Sequence, residues 1–378
     1  MPLSTLLSRR SAWPSSLLPA NAQDLIVGMT SGFTGEAAVN AHKNRLGAQL
    51  AINEFKARGG LRGRRMRLMT LDDKLSADQA AVNATTLITQ HHAIALLLCR
   101  STACTQALLP VLTQHQVALV GPSTGAMVFH TPVHPLVFNV RSTYQREAEN
   151  AVYYLRQQGV DRLAVVQVDD SFGDDAVQGA LKGLAVSGLK PVMMVKVDPV
   201  LPDHRMLVKL IQLAKADALL FIGASPAVAD GILALRAAGL ALPVVTLSNN
   251  ALASFAKHLN GHKQQVLIAR AFPSERSWVL PMVHDGNKPP RSLKIGELTP
   301  SLLEGYIAAK VLTVAVRRLG PHVNSQTVVN ALNALNHFSV AGYVMHYSPA
   351  NHSGLCQAER RSPHANGLPP LEDYHDAQ

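Results

Sequence analysis

The amino-acid sequence predicts an α/β chain folded as two doubly wound, Rossmann-like lobes. From Asp24 onward short apolar strands alternate with amphipathic helices, the strands are apolar at nearly every position, and the alternation runs in two successive sets. Repeated strand–helix–strand order implies parallel sheets with helices on both faces, where strands are buried on both sides. Two sets fit two lobes better than one large sheet. A length of 378 residues agrees, being too great for one small core.

In the first set "DLIVGMTS" is a strand, and residues 35–58 form a helix with Leu46, Leu50 and Phe55 on one face. "RRMRLMTLD" is a strand, 76–91 a helix, "AIALLLC" a strand and 102–115 a helix; the strands "VALVG" and "LVFNVR" close the set. The second set opens with a helix at 143–158. "RLAVVQV" follows, then a helix at 174–187, "KPVMMVKV", and a helix at 203–215. "ALLFIG", a helix at 226–238, "PVVTLS" and "QVLIARAF" complete it. After Phe272 a Pro- and charge-rich connection leads to two helices, at 300–319 and 325–336. The polar tail 359–378 is expected to be poorly ordered.

Composition narrows the function. Hydrophobic residues make up 47% and charged residues 16%, an ordinary globular mixture. No apolar run reaches the ~18 residues of a membrane span. The net charge of +10 is scattered apart from "RGRRMR" at 62–67, which has no aromatic platform, so nucleic acid is not an expected partner. Three cysteines make no disulfide framework. Cys99 and Cys104, with His91 and His92 upstream, lack zinc-knuckle spacing and read as buried thiols. Residues 1–23 combine Arg9, Arg10, a weakly apolar stretch and Ala20-Asn21-Ala22, the pattern of an export leader.

Such folds place ligands at strand-to-helix corners. No corner carries G-x-G-x-x-G, a G-x-x-x-x-G-K-[ST] loop, H-E-x-x-H or G-x-S-x-G. No cofactor and no metal is expected, and enzyme chemistry is not. Asp169, Asp170, Asp174 and Asp175 cluster at one corner, but Asp174 and Asp175 suit the first turn of a helix, where carboxylates complement the dipole. Phe172, an aromatic at the same corner, must pack on a neighbouring loop or on a ligand. Ser101 and Thr102 in "CRSTACT", and Ser123, Thr124 and Gly125 in "GPSTGAM", offer hydroxyls and free amides, as caps or as an anion site.

The chain resembles the branched-chain amino-acid-binding (Leu/Ile/Val-binding) type of periplasmic solute receptor that serves ABC transporters. The likeness runs from Ile26 to about Leu355 through "LGAQLAINEFKARGGLRGRRMRLMTLDD", "VALVGPSTGAM", "VFNVRSTYQREAE", "VVQVDDSFG", "SLLEGYIAAKVL" and "YSPANHSG". It implies a type I periplasmic-binding fold with three hinge crossings, near 140–142, 271–273 and 341–344, and a ligand trapped between the lobes. Residues 24–141 plus 272–342 would form the first lobe, and 142–271 plus 343–358 the second. Ser101, Thr102 and Ser123 to Gly125 would grip the ligand's carboxylate beside Arg100, and Phe172 would cover it. Tyr144, at the head of the next helix, is grouped with these candidate contacts.

The sequence departs from the amino-acid binders of that family. Their second-lobe tyrosine and glutamate align with Ser225 and with Ser248 or Asn249, all neutral. Leu75 stands where some members place the partner of the Cys99 position, so that disulfide is absent. The expectation is therefore a monomeric periplasmic or extracytoplasmic receptor. Its ligand would be a small organic acid, an amide or an amino-acid-like solute, with an acid or amide preferred over leucine, and its partner an ABC permease. The alternative is a cytosolic ligand-sensing regulatory module on the same fold.

Overall fold

The protein is described from a computed structural model, which covers residues 24–35, 37–251, 253–263, 265–272, 299–340, 343–355 and 372–373. The leader, the 273–298 connection, Cys356 and nearly all of the 359–378 tail lie outside the described residues.

The first sheet holds β1 (Leu25–Ser31), β2 (Met66–Asp72), β3 (Ala95–Leu97), β4 (Ala118–Val120) and β5 (Val137–Phe138). They run parallel in the order β2-β1-β3-β4-β5, with Val27 opposite Ala95 and Leu96 opposite Leu119. Helices α1 (Ala38–Ala57), α2 (Ala77–Thr89) and α3 (Thr102–His115) connect the first four strands. The second sheet holds β6 (Leu163–Val168), β7 (Met193–Val197), β8 (Ala218–Ile222), β9 (Val244–Thr246) and β10 (Val266–Ile268), parallel in the order β10-β9-β8-β6-β7. Its helices are α4 (Tyr144–Gln157), α5 (Ser171–Val186), α6 (His204–Ala214), α7 (Ser225–Ala237) and α8 (Ala253–His258). Then come α9 (Pro300–Arg317), α10 (Ser325–Asn333) and a hairpin of β11 (Phe338–Val340) with β12 (Tyr343–Met345). Two tail residues, β13 (Glu372–Asp373), add antiparallel to β10. Both expected doubly wound sheets are present.

Several element ends differ from the sequence reading. β3 stops at Leu97 because Leu98 takes a positive φ of 58° and leaves the ladder. β2 starts at Met66, since a turn bonded between Leu61 and Arg64 precedes it. α5 begins three residues earlier than expected, at Ser171, because the Asp170 carboxylate accepts from Gly173 N–H at 2.8 Å and caps the helix there.

Two packing decisions position the site. α1 and α9 touch backbone to backbone: a Cβ at Gly47 would collide with the Leu302 carbonyl, and one at Gly305 with that of Asn44. No larger residue fits that crossing. Between the sheets, three stretches of backbone lie side by side: Asn139 N–H donates to His352 O at 2.8 Å, and Ser142 N–H to Ala271 O at 3.3 Å. Residues 343–355, expected with the second lobe, pack here at the end of the first sheet. Tyr347 meets Phe138 edge-on and donates to Asn139 O at 2.8 Å. Among the described residues no helix is long and apolar enough to cross a membrane.

Candidate functional site

The corners after β3 and β4 are neighbours because Arg100 and Ser123 bridge their backbones, and Ser123 N–H donates to Cys99 O at 2.8 Å. This brings the expected small-residue loops together. Thr102 and Thr124, both buried, share a hydroxyl hydrogen bond of 3.0 Å. Ser101 is the N-cap of α3, accepting from Cys104 N–H at 3.1 Å with φ 75°. Gly125 lies against the crossing, where its carbonyl accepts from Tyr144 N–H at 2.8 Å and a Cβ would meet Ser142 O at 2.8 Å.

At the centre stands Arg141, 5% exposed, on the crossing from β5 to α4. One arm reaches the second lobe, with Nη2 2.8 Å from Glu147 and 2.7 Å from the Ser248 hydroxyl. The other reaches Glu304 of α9 at 3.3 Å. Its guanidinium lies 4.8 Å from the centre of the Tyr144 ring. Burial works against the Arg141 charge, but Tyr144, Glu147 and Glu304 outweigh it and hold its pKa above the ordinary value. Burial pushes the Glu147 carboxyl up, opposed by Arg141 and by hydrogen bonds from Ser248. Glu304 also accepts from Ser123 Oγ at 2.6 Å and from Asn44 Nδ2 at 3.0 Å, a reach made possible by the α1–α9 glycine contact.

Around this network lies a small polar cavity of about 10 Å³, roughly one water's space. Arg100 lines it from the first sheet's corners, and Ser248 and Asn249 from the corner after β9. Arg141 and Ala271 come from the crossings, Asn40 from α1, and Ser301 and Glu304 from α9. Of the expected residues, Arg100, Ser248 and Asn249 meet at this cavity, and Ser123 is one hydrogen bond behind it. Ser225 instead donates to Asn250 Oδ1 at 2.8 Å. Phe172 is in the first turn of α5, edge-on to Tyr144 with ring centres 4.7 Å apart.

The acidic corner resolves into separate tasks. Asp169 and Asp174 pair with Lys196 at 2.8 and 2.7 Å. Asp175, expected to serve the dipole of α5, accepts from Met127 N–H and Gln145 Nε2, each at 3.0 Å. It thereby joins α5 to the loop after Gly125. Among the described residues no group of three or more His, Cys, Asp or Glu side chains is placed to hold a metal. Cys99 and Cys104 are free and buried, and burial pushes the Cys104 thiol up to about 11.

Sequence reasoning missed Arg141, Glu147, Glu304, Asn40 and Ser301 as site residues. A signal existed: Glu304 interrupts a helix buried on nearly every face, and Arg141 ends an apolar strand. A charge in such a place needs a partner. The aligned second-lobe positions are neutral, as expected, but the Glu147 carboxylate stands directly behind Ser248 and accepts from its hydroxyl at 3.0 Å.

Two parallel α/β lobes thus meet, through their corners and crossings, at one small polar cavity. The chain belongs to the periplasmic binding protein family, whose profile matches residues 25–355. Members are periplasmic and bind substrates rather than turning them over. A substrate-binding periplasmic protein from Ralstonia solanacearum is 26% identical, covering 92% of this chain and 100% of its own, with a TM-score of 0.80. An extracellular ligand-binding receptor from Verminephrobacter eiseniae is 25% identical, covers 88% and 95%, and has a TM-score of 0.78. The Leu/Ile/Val-binding protein of Escherichia coli K12 is 21% identical over 223 residues, 58% of this chain. An amino acid binding protein of Pseudomonas aeruginosa is 23% identical over 221 residues, 57% of this chain. The chain spans 60% and 58% of the lengths of these two curated relatives, respectively.

Proposed function

We propose that the chain is a periplasmic receptor that captures a small polar or carboxylate-bearing solute between its lobes and delivers it to an ABC permease. The observation that supports this most directly is the cavity itself, lined by corners of both sheets and by the crossings between them. In doubly wound folds ligands are held outside the carboxyl ends of the strands. In this reading Arg100, Ser248 and Asn249 contact the solute directly. Ser101, Thr102, Ser123, Thr124 and Gly125 shape the first lobe's wall, and Tyr144 with Phe172 closes the side. The solute is an organic acid or amide in preference to leucine, isoleucine or valine. Ser225, Ser248 and Asn249 carry no charge, and Glu147 is already matched by Arg141 and Ser248. A buried ammonium without its own counter-charge costs several kcal/mol.

The test is a thermal-shift screen of amino acids, amides, aromatic acids and dicarboxylates, followed by calorimetry on each hit. A binder raises Tm as RT ln(1 + [L]/Kd). Micromolar binding of an acid or amide, weakened about fivefold or more in Ser248→Ala or Asn249→Ala, is expected, each lost hydrogen bond being of order 1 kcal/mol or more. Micromolar leucine with the acids and amides inert would show the ligand assignment wrong.

A further inference from the structure

We propose that the base of the first lobe, the end away from the cavity, docks onto the anionic phospholipid headgroups of a membrane surface. The cavity lies beyond the carboxyl ends of the strands. The basic residues gather at the opposite end, about 20 Å away along the seven residues of β2. Helices α1 and α9 run side by side from the Asn44–Gly305 contact to Phe55, where the Arg317 guanidinium sits 5.4 Å from the ring centre. Their C-terminal turns therefore end together. Burial, then the charge of Arg58, draws the Arg317 pKa below its ordinary value, so like charges have been brought close rather than dispersed.

Cations at helix C-termini complement the dipole, which accounts for Arg58 and Arg317. It does not account for Arg62, Arg65 and Arg67, which are exposed and outside any helix, Arg67 being on the outer strand of the sheet. Arg62 is the sharpest case. Leu61 and Arg64 exchange both backbone hydrogen bonds at 3.0 Å, closing a two-residue hairpin turn with φ 52° at Arg62 and 85° at Gly63. Such a turn needs positive φ at both central residues, which asparagine or glycine ordinarily supplies. Arginine there strains the backbone and places a cation at the tip of the loop.

Carboxylates are arranged the other way. Among the described residues of the first lobe, Asp24 and Glu54 are the acids at the base, and Glu54 is taken up by Lys310 and by the Tyr306 hydroxyl at 2.8 Å. Asp72, Asp73, Asp78 and Glu304 all lie at the cavity end. The lobe is polarised, and its base attracts a polyanion. Single-stranded nucleic acid is held on stacking aromatics, whereas Phe55, the aromatic at this end, is buried beneath Arg317. Residues 1–23, whose sequence has the pattern of an export leader, join the fold here, since Leu25 N–H donates to Arg65 O at 2.7 Å. A basic face beside that entry point fits the phosphates of a bilayer, and docking by it leaves the cavity end open to solute.

Flotation of the full chain with vesicles of phosphatidylglycerol and phosphatidylcholine, against phosphatidylcholine alone, tests this. Binding is expected to the anionic vesicles only, and to fall steeply between ~50 and ~300 mM salt as the charges are screened. Each cation at an anionic surface contributes about fivefold in affinity, so Arg62→Gln, Arg65→Gln and Arg67→Gln together should weaken binding about a hundredfold. Lys190→Gln, Arg205→Gln and Lys209→Gln together remove equal charge from exposed positions of the second lobe and should weaken it far less. Arg62→Gly alone should cost about fivefold with Tm unchanged, since glycine takes the turn without strain; it keeps the test if the triple variant fails to fold. No binding to anionic vesicles, or equal loss in the two triple variants, would overturn the proposal. A duplex oligonucleotide held more tightly than the vesicles at equal phosphate would overturn it in favour of nucleic acid.

Discussion

Replacing Arg141 leaves two carboxylates buried without their cation, and loss of one partner of a buried pair costs ~3–5 kcal/mol. Arg141→Met should therefore lower the urea midpoint sharply. Arg141→Met with Glu147→Gln should recover part of the loss, and an additive double mutant would contradict the ionic reading. His130 makes a different prediction. It is fully buried, its Nδ1 lies 2.7 Å from Ser353 Oγ, and burial, then Arg141, holds its pKa down to about 3. In the unfolded chain it titrates near ~6.5. Between those values the unfolded state binds the extra proton, so this contribution is complete above ~6.5 and is lost as pH falls toward 3, at up to ~1.4 kcal/mol per pH unit. Urea unfolding at pH 7, 6 and 5 should show a weaker pH dependence in His130→Gln than in the parent; equal slopes would contradict it. At this scale the sequence was only partly legible. Arg100, Ser248 and Asn249 could be placed only because the family resemblance aligned them with its ligand-contacting corners. Arg141 and Glu304 are far apart in the chain, and only the fold shows that they meet.

The crossing of α1 and α9 tests the element scale. Ala exceeds Gly in helix propensity by ~1 kcal/mol, so Gly47→Ala in an unobstructed helix would stabilise. Here the added methyl meets the Leu302 carbonyl, and overpacking costs ~1–3 kcal/mol or more. A lower Tm is the expected result. It should come with weaker solute binding, because Asn44 and Glu304 share that contact; a raised Tm would mean the helices can separate freely. Element types could be read from periodicity, since continuous apolar runs and amphipathic stretches obey different geometry. Element ends could not. Strands β3 to β5 are only two or three residues long because ladder pairing, not hydrophobicity, ends a strand, and Leu98 turns away while still fully buried. The short α8 and the β11–β12 hairpin had no periodic signal long enough to separate them from loop.

At the scale of the molecule, both lobes contribute to one cavity, and Arg141 holds a group from each. The surrounding space is too small for an organic solute to enter without the walls parting. In the proposed function, uptake requires the lobes to open and close about the backbone stretches at 139–142, Ala271 and His352, through small backbone changes at a few residues. Two lobes were legible from the two successive sets of strands. Their shared cavity was legible only through the family likeness, since the parts come from six separated segments. Small-angle X-ray scattering of the full chain, with and without a solute confirmed by calorimetry, tests capture between lobes most directly. The account predicts a smaller radius of gyration on binding, in step with the fraction of sites filled. A saturating ligand that leaves the radius of gyration unchanged would contradict it.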